Sequence, residues 1–166
     1  MKPISLAVWA ALILAVILAV ALPRLGWAED YGQATVNPML LAEQDLAAES
    51  RGDVAAALAL YRDDAIVQYG GLCWTPCIGK AAIEKELERR VAAKNEWKIV
   101  GKYVSGNVAV VQAELKIGYI EYTGVDHVVV WSIYEVTGDK IAAVTLAGQR
   151  TDPETKRFIE YSQPTR

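Results

Sequence analysis

The stretch GDVAAALALYRDDA, residues 52–65, decides how the chain is read. Arg51-Gly52 suits the end of one helix, and the short acceptor side chain of Asp53 suits the cap of the next. Seven small or aliphatic residues then lead to Tyr61. The charged run Arg62-Asp63-Asp64 follows, and Ala65 to Tyr69 reads as a short strand. In this reading Asp63 and Asp64 sit in a helix-to-strand turn, where paired carboxylates fix the backbone through Asx-type bonds.

Working outward, PMLLAEQDLAAES (38–50) has good helix formers, with Leu41, Asp45 and Ala48 on one stripe. Downstream, GLCWTPCIGK (71–80) forms a loop and KAAIEKELERRVAAK (80–94) a third helix. Ile83, Leu87 and Val91 give that helix its apolar stripe, and Glu86 and Arg90 form an i,i+4 pair placed on its solvent side. No Lys or Arg is expected on an apolar stripe. After Trp97 the period changes. Trp97–Ser105, Val108–Tyr122, Val125–Val136 and Lys140–Leu146 are rich in β-branched and aromatic residues, with hairpin turns at Gly106-Asn107 and Thr137-Gly138-Asp139.

In the second of these strands Val111, Ala113, Leu115, Ile117 and Tyr119 alternate with Gln112, Glu114 and Lys116, so one side is wet. The third, VDHVVVWSIYEV, is apolar on both faces and belongs at the centre of the sheet. Asp152 caps a short C-terminal helix with Pro153 at its first position. The order predicts one α+β domain over residues 38–166. Its curled antiparallel sheet is covered on one face by three N-terminal helices.

Three motifs in this order resemble the nuclear transport factor 2-like, or SnoaL-like, superfamily. They are Gly52-Asp53 with Asp63-Asp64-Ala65, Gly79-Lys80-Ala81-Ala82-Ile83, and Gly138-Asp139-Lys140-Ile141, within residues 38–148. The resemblance implies a cystatin-like cone fold with a pocket. It does not imply a reaction, because the superfamily includes ketosteroid isomerases, polyketide cyclases, limonene epoxide hydrolases and non-enzymatic binding domains. At the position of the isomerase base this chain has Tyr69, and at that of the oxyanion tyrosine it has Asp45. The oxyanion acid is replaced by Ser132 or Ile133. Asp126 is one acid for an epoxide-opening Asp–Arg–Asp group, but no Arg occupies a pocket-facing strand position.

Four residues remain as candidates. Asp45 is a carboxylate on an apolar stripe, whose burial would raise its pKa and suit it to acid–base work; the alternative places it at the wet border of that stripe. His127, the one imidazole, shares a strand face with Val129, Trp131 and Ile133, and is either an acid–base group or a satisfied structural histidine. Tyr69 and Trp131 are read as walls of the cone, packing or touching ligand. Two functions stay open. In one, the domain binds a small, mostly apolar molecule or a partner without chemistry. In the other it is a cofactor-free isomerase, cyclase or hydrolase using Asp45 or His127. The missing family acids favour the first.

The ends set the compartment. Lys2, the nineteen apolar residues Ile4–Leu22, and Gly26-Trp27-Ala28 before Glu29-Asp30 have the layout of a secretory signal. The apolar run is also long enough for an uncleaved N-terminal anchor. Residues 1–28 are thus a signal peptide or a membrane anchor, and residues 29–37 a tether. The rest is expected to be periplasmic or extracellular, touching membrane only through an uncleaved leader. Export favours a Cys73–Cys77 disulfide, and with one histidine the chain lacks a ligand set for metal. A net charge of −3 without a basic cluster argues against nucleic acid. A central strand apolar on both faces predicts a homodimer through the outer face of the sheet.

Overall fold

The computed structural model describes residues 33–70, 75–118 and 124–162. The leader and Cys73 lie outside them. Helix α1 (Pro38–Ser50) begins where the Asn37 side chain accepts from the Met39 N–H at 3.0 Å, with Pro38 in the first turn, where no N–H is needed. Its inner side carries Leu41, Ala42, Leu46 and Ala48 together with two acids, Asp45 and Glu49. Gly52, at φ 73°, reverses the chain in the left-handed region that glycine tolerates best. Asp53 then caps α2 (Val54–Ala59) by accepting from the Ala56 N–H at 3.0 Å.

Here the structure departs from the expected turn. Strand β1 (Tyr61–Gly70) already contains Arg62, Asp63 and Asp64. Its pairing with β6 (Lys140–Gly148) slips between Tyr61 and Ile66, which face Ile141 and Ala143, so the charged residues bulge outward from an extended chain. Arg62 clamps Asp64 at 2.9 and 3.0 Å, and Lys80 reaches Asp63 at 2.8 Å. Both ion pairs are exposed to solvent.

The remaining elements are β2 (Cys77–Ile78), α3 (Lys80–Ala92), β3 (Glu96–Ser105), β4 (Val108–Lys116), β5 (Val128–Thr137), β6 (Lys140–Gly148) and α4 (Pro153–Ser162). The six strands form one curled sheet in the order β2-β1-β6-β5-β4-β3. Four pairings are antiparallel, while β1 runs parallel to β6. After β1 and β2 the chain crosses through α3 to the far edge at β3 and returns strand by strand, so that β6 comes to lie beside β1. Helix α1 packs across β3, β4 and β5, and α3 packs against β1. The predicted α+β architecture is present, with β5 central as its sequence requires.

Alternation holds along β4, where Ala109, Val111, Ala113 and Leu115 are buried. On β5 the inward face is Val128, Val130, Ser132, Tyr134 and Val136. The outward face, through which the sequence predicts a homodimer, carries Val129, Trp131 and Ile133. There the Tyr103 and Trp131 rings lie 6.1 Å apart. The end of the predicted tether is not loose: Ala34 bridges Gly138, the Thr35 N–H donates to the Gly138 carbonyl at 2.7 Å, and Val36 packs on the core. Cys77 is a half-buried free thiol here, and the proposed partner Cys73 lies outside the described residues.

The end of α3 meets the end of β4 at one close approach. The Gly118 N–H donates to the Ala93 carbonyl at 2.7 Å, and a Cβ on Gly118 would meet that same oxygen at 2.7 Å. Backbone cannot yield as a side-chain tip does. Gly118→Ala is expected to cost about 1–3 kcal/mol, read as a lower urea midpoint. An unchanged midpoint would show that this junction is soft.

Candidate functional site

The site starts on α3. Its buried residues are Ile83, Leu87 and Arg90, a spacing of four and then three that keeps one helix face. Arg90 is 4% exposed, so the sequence assignment of the Glu86–Arg90 pair to the solvent side is corrected. An arginine is tolerated there because acids come from two helices. Its Nη1 donates to Glu49 of α1 at 3.3 Å, and its Nε to Glu86 at 3.0 Å and to the Tyr69 hydroxyl at 2.9 Å. The guanidinium also lies 5.4 Å from the centre of the Tyr69 ring.

Glu86 takes two further bonds from Arg89, at 2.8 and 2.7 Å, and one from the Tyr69 hydroxyl. Burial alone would raise its pKa. The bonds from Arg89 and Tyr69 and the charge of Arg90 outweigh that and hold it down at about 2. Glu49 is also bound by Trp97 Nε1 at 2.9 Å and Asn95 Nδ2 at 3.3 Å. Burial pushes the Tyr69 hydroxyl well above its ordinary range.

A second buried cluster lies deeper. Asp45, 1% exposed, accepts on one oxygen from the Tyr61 hydroxyl at 2.9 Å and the Tyr134 hydroxyl at 3.1 Å. Burial, and then the nearby Glu49, raise its pKa to about 7, although Arg90 and both tyrosines pull the other way. Asp45 Oδ1 and Ser132 Oγ, both buried, have no partner among the described residues.

Between the sheet, the end of α3 and the inner side of α4 lies a cavity of about 670 Å³, its mouth included. Its walls are apolar, formed by Leu115, Ile117, Val128, Val130, Leu146, Phe158 and Ile159. One end is polar, with Tyr69, Arg90, Asn95 and Trp97. Tyr69 is thus a wall residue. Trp131 is not: it stands next to Val130 and so points to the opposite face of β5. Alternation gives two faces, and packing against α1 decides which is inner. Neither Asp45 nor His127 lines the cavity. Asp45 is bonded through one oxygen to two buried tyrosines, and His127 stands just before β5, with Nδ1 3.7 Å from Glu154. The structure therefore does not bring those two candidates together in the cavity.

Sequence reasoning missed Arg90, Glu49, Asn95 and Trp97. The spacing of Ile83, Leu87 and Arg90 was the available signal. Among the described residues, no cluster of three or more His, Cys, Asp or Glu could hold a metal ion. Among the described residues the ionisable lining of the cavity is Tyr69, Arg89 and Arg90, and the pKa values of Tyr69 and Arg90 are both raised. The polar end can donate and accept hydrogen bonds, and among the described lining residues there is no carboxylate or imidazole.

The profile of the SnoaL-like domain matches residues 42–144, more than half of the chain. The chain belongs to the SnoaL-like domain family. Among solved structures, this SnoaL-like domain is similar to SalBIII, an epoxide hydrolase/cyclase-like enzyme of salinomycin pyran-ring formation. Identity is 15%, the TM-score 0.60, and the match covers 69% of this chain and 92% of that one. It is also similar to a cystatin-fold protein from Novosphingobium aromaticivorans, at 19% identity and a TM-score of 0.57, covering 67% and 97%. An NTF2-like protein from Cytophaga hutchinsonii matches at 10% identity and 0.57, covering 71% and 95%. At these identities the likeness is one of fold. No curated protein matches this SnoaL-like domain.

Proposed function

We propose that this SnoaL-like domain binds a small, mostly apolar molecule in the cavity between its sheet and α4, without proton transfer by Asp45 or His127. One observation carries this reading: the cavity is walled by aliphatic and aromatic side chains, while both acid–base candidates lie outside it. A concave apolar space with a few convergent polar groups is the ordinary form of a small-molecule site.

Trp97 lines the cavity and offers an internal reporter alongside an apolar fluorescent dye. The dye is expected to bind saturably. Leu146→Trp, which fills the space from its wall, should weaken binding by at least ~10-fold, about 1.4 kcal/mol. Undiminished binding by the folded variant would place the dye elsewhere and remove the proposal. A substrate whose turnover falls at least ~10²-fold on Asp45→Asn or His127→Gln would instead favour the acid–base reading.

A further inference from the structure

Three residues of the polar end come from different places: Arg90 from α3, Asn95 from the link that follows it, and Trp97 from β3. Their side chains meet on one carboxylate, which is not itself part of the lining. Glu49 Oε1 accepts from Trp97 Nε1 at 2.9 Å and from Asn95 Nδ2 at 3.3 Å, and its Oε2 accepts from Arg90 Nη1 at 3.3 Å. The Glu49 side chain is fully enclosed. For the side chains of Asn95 and Trp97 it is the one hydrogen-bond partner among the described residues, whereas Arg90 also has Glu86 and Tyr69.

The backbone that carries this carboxylate is fixed as well. Glu49 lies in the last turn of α1, where its carbonyl accepts from the Gly52 N–H at 2.9 Å. One turn earlier, Asp45 ties the helix to Tyr61 of β1 and Tyr134 of β5. A buried carboxylate is costly to desolvate, and apolar residues of the same volume would fill the space without that cost. What apolar residues cannot do is aim three donors. Hydrogen bonds to an ionised acceptor are stronger than neutral ones and hold their donors in one direction. A wall held in this way is formed before a ligand arrives, so the ligand loses no affinity to ordering it.

We infer, resting on the binding reading above, that Glu49 is a positioning residue of the cavity. It acts without touching the ligand. Its carboxylate sets the direction of the Trp97 ring and of the Asn95 and Arg90 side chains, and with them the shape that the polar end offers. Without it the side chains of Asn95 and Trp97 are free to turn, and Arg90 keeps Glu86 and Tyr69. A ligand then has to order the wall itself, and its affinity falls.

Fluorescence titration of the purified chain with N-phenyl-1-naphthylamine, a neutral apolar dye, tests this well below the melting temperature of each variant. Glu49→Met keeps the bulk and removes every acceptor, and is expected to weaken dye binding by the folded protein at least ~10-fold. Glu49→Gln keeps one acceptor oxygen for Trp97 and Asn95, and should bind at least ~3-fold tighter than Glu49→Met. A merely structural role would lower the melting temperature of both variants and leave the affinity of the folded chain alone. The second readout is the Trp97 indole N–H in proton NMR, assigned with Trp97→Phe. In the wild type and Glu49→Gln it should exchange at least ~10²-fold slower than a free indole, and in Glu49→Met it should lose that protection. Should Glu49→Met fail to fold, the wild-type and Glu49→Gln spectra still decide. Three results would each overturn the inference: folded Glu49→Met binding the dye like the wild type, Glu49→Gln binding it as weakly as Glu49→Met, or a freely exchanging Trp97 indole in the wild type. If Leu146→Trp still weakened dye binding in that case, the binding reading would stand alone. No saturable binding by the wild type would remove both.

Discussion

Arg90→Met is expected to destabilise the fold by about 3–5 kcal/mol, because it strips a buried carboxylate of its counter-charge. Glu49 is the reason: its side chain is fully enclosed, and Arg90 is the cation in contact with it. Neutralising the acid as well should restore much of the loss. The double variant Arg90→Met with Glu49→Gln keeps acceptor and shape for Trp97 while removing the orphaned charge. The two changes should therefore be strongly non-additive. The loss is large against the roughly 5–15 kcal/mol that holds a typical domain together. Urea midpoints for the wild type, both single variants and the double variant measure it. A drop below about 1 kcal/mol for Arg90→Met, or strict additivity, would mean that the pair is solvated and inert.

Stability is also expected to fall as pH rises from about 4 to about 7, the reverse of the usual behaviour of a carboxylate in an ion pair. The folded pKa of Asp45 is about 7 against an ordinary 3.8. Between those values the unfolded chain gives up the proton and the folded chain keeps it, so each unit of pH favours unfolding. Across the window this amounts to on the order of 4 kcal/mol, at about 1.4 kcal/mol per unit. Below 3.8 the full contribution is present; above about 7 it is gone. Glu86 works in the opposite sense. Its folded pKa lies at about 2 against 4.5, so its contribution is present above 4.5 and is lost as pH falls towards 2. Together they place maximum stability between about pH 4 and 5. Melting temperatures from pH 3 to 8 should show that maximum, and Asp45→Asn, which cannot ionise, should flatten the neutral limb. A flat wild-type profile from pH 5 to 8 would show that Asp45 is not held protonated; a variant with the wild-type slope would assign the slope elsewhere.

Much of the fold was legible because its signals are local. Alternation along Val111, Ala113 and Leu115 marks one face of a strand, and a chain of β-branched residues apolar on both sides belongs between two neighbours, as β5 does between β4 and β6. Asp53 caps the helix it precedes by reaching a backbone N–H three residues on. Such features need only the chain's own geometry over a few residues.

The site depended on partners far along the chain. Arg90 reads as a solvent-side residue until Glu49 arrives from α1, 41 residues away, to neutralise it. Asp45 stood out correctly as a carboxylate on an apolar stripe. Its hydroxyl partners, though, are Tyr61 and Tyr134, 16 and 89 residues distant, and they hold the carboxyl in the core, outside the cavity lining. Trp131 shows the same limit in its simplest form. The sequence alone determined that Val130 and Trp131 face opposite ways; only the packing of α1 and α4 decided which of them looks into the cavity. Periodicity is a property of one element, whereas burial and charge compensation are properties of whatever packs against it.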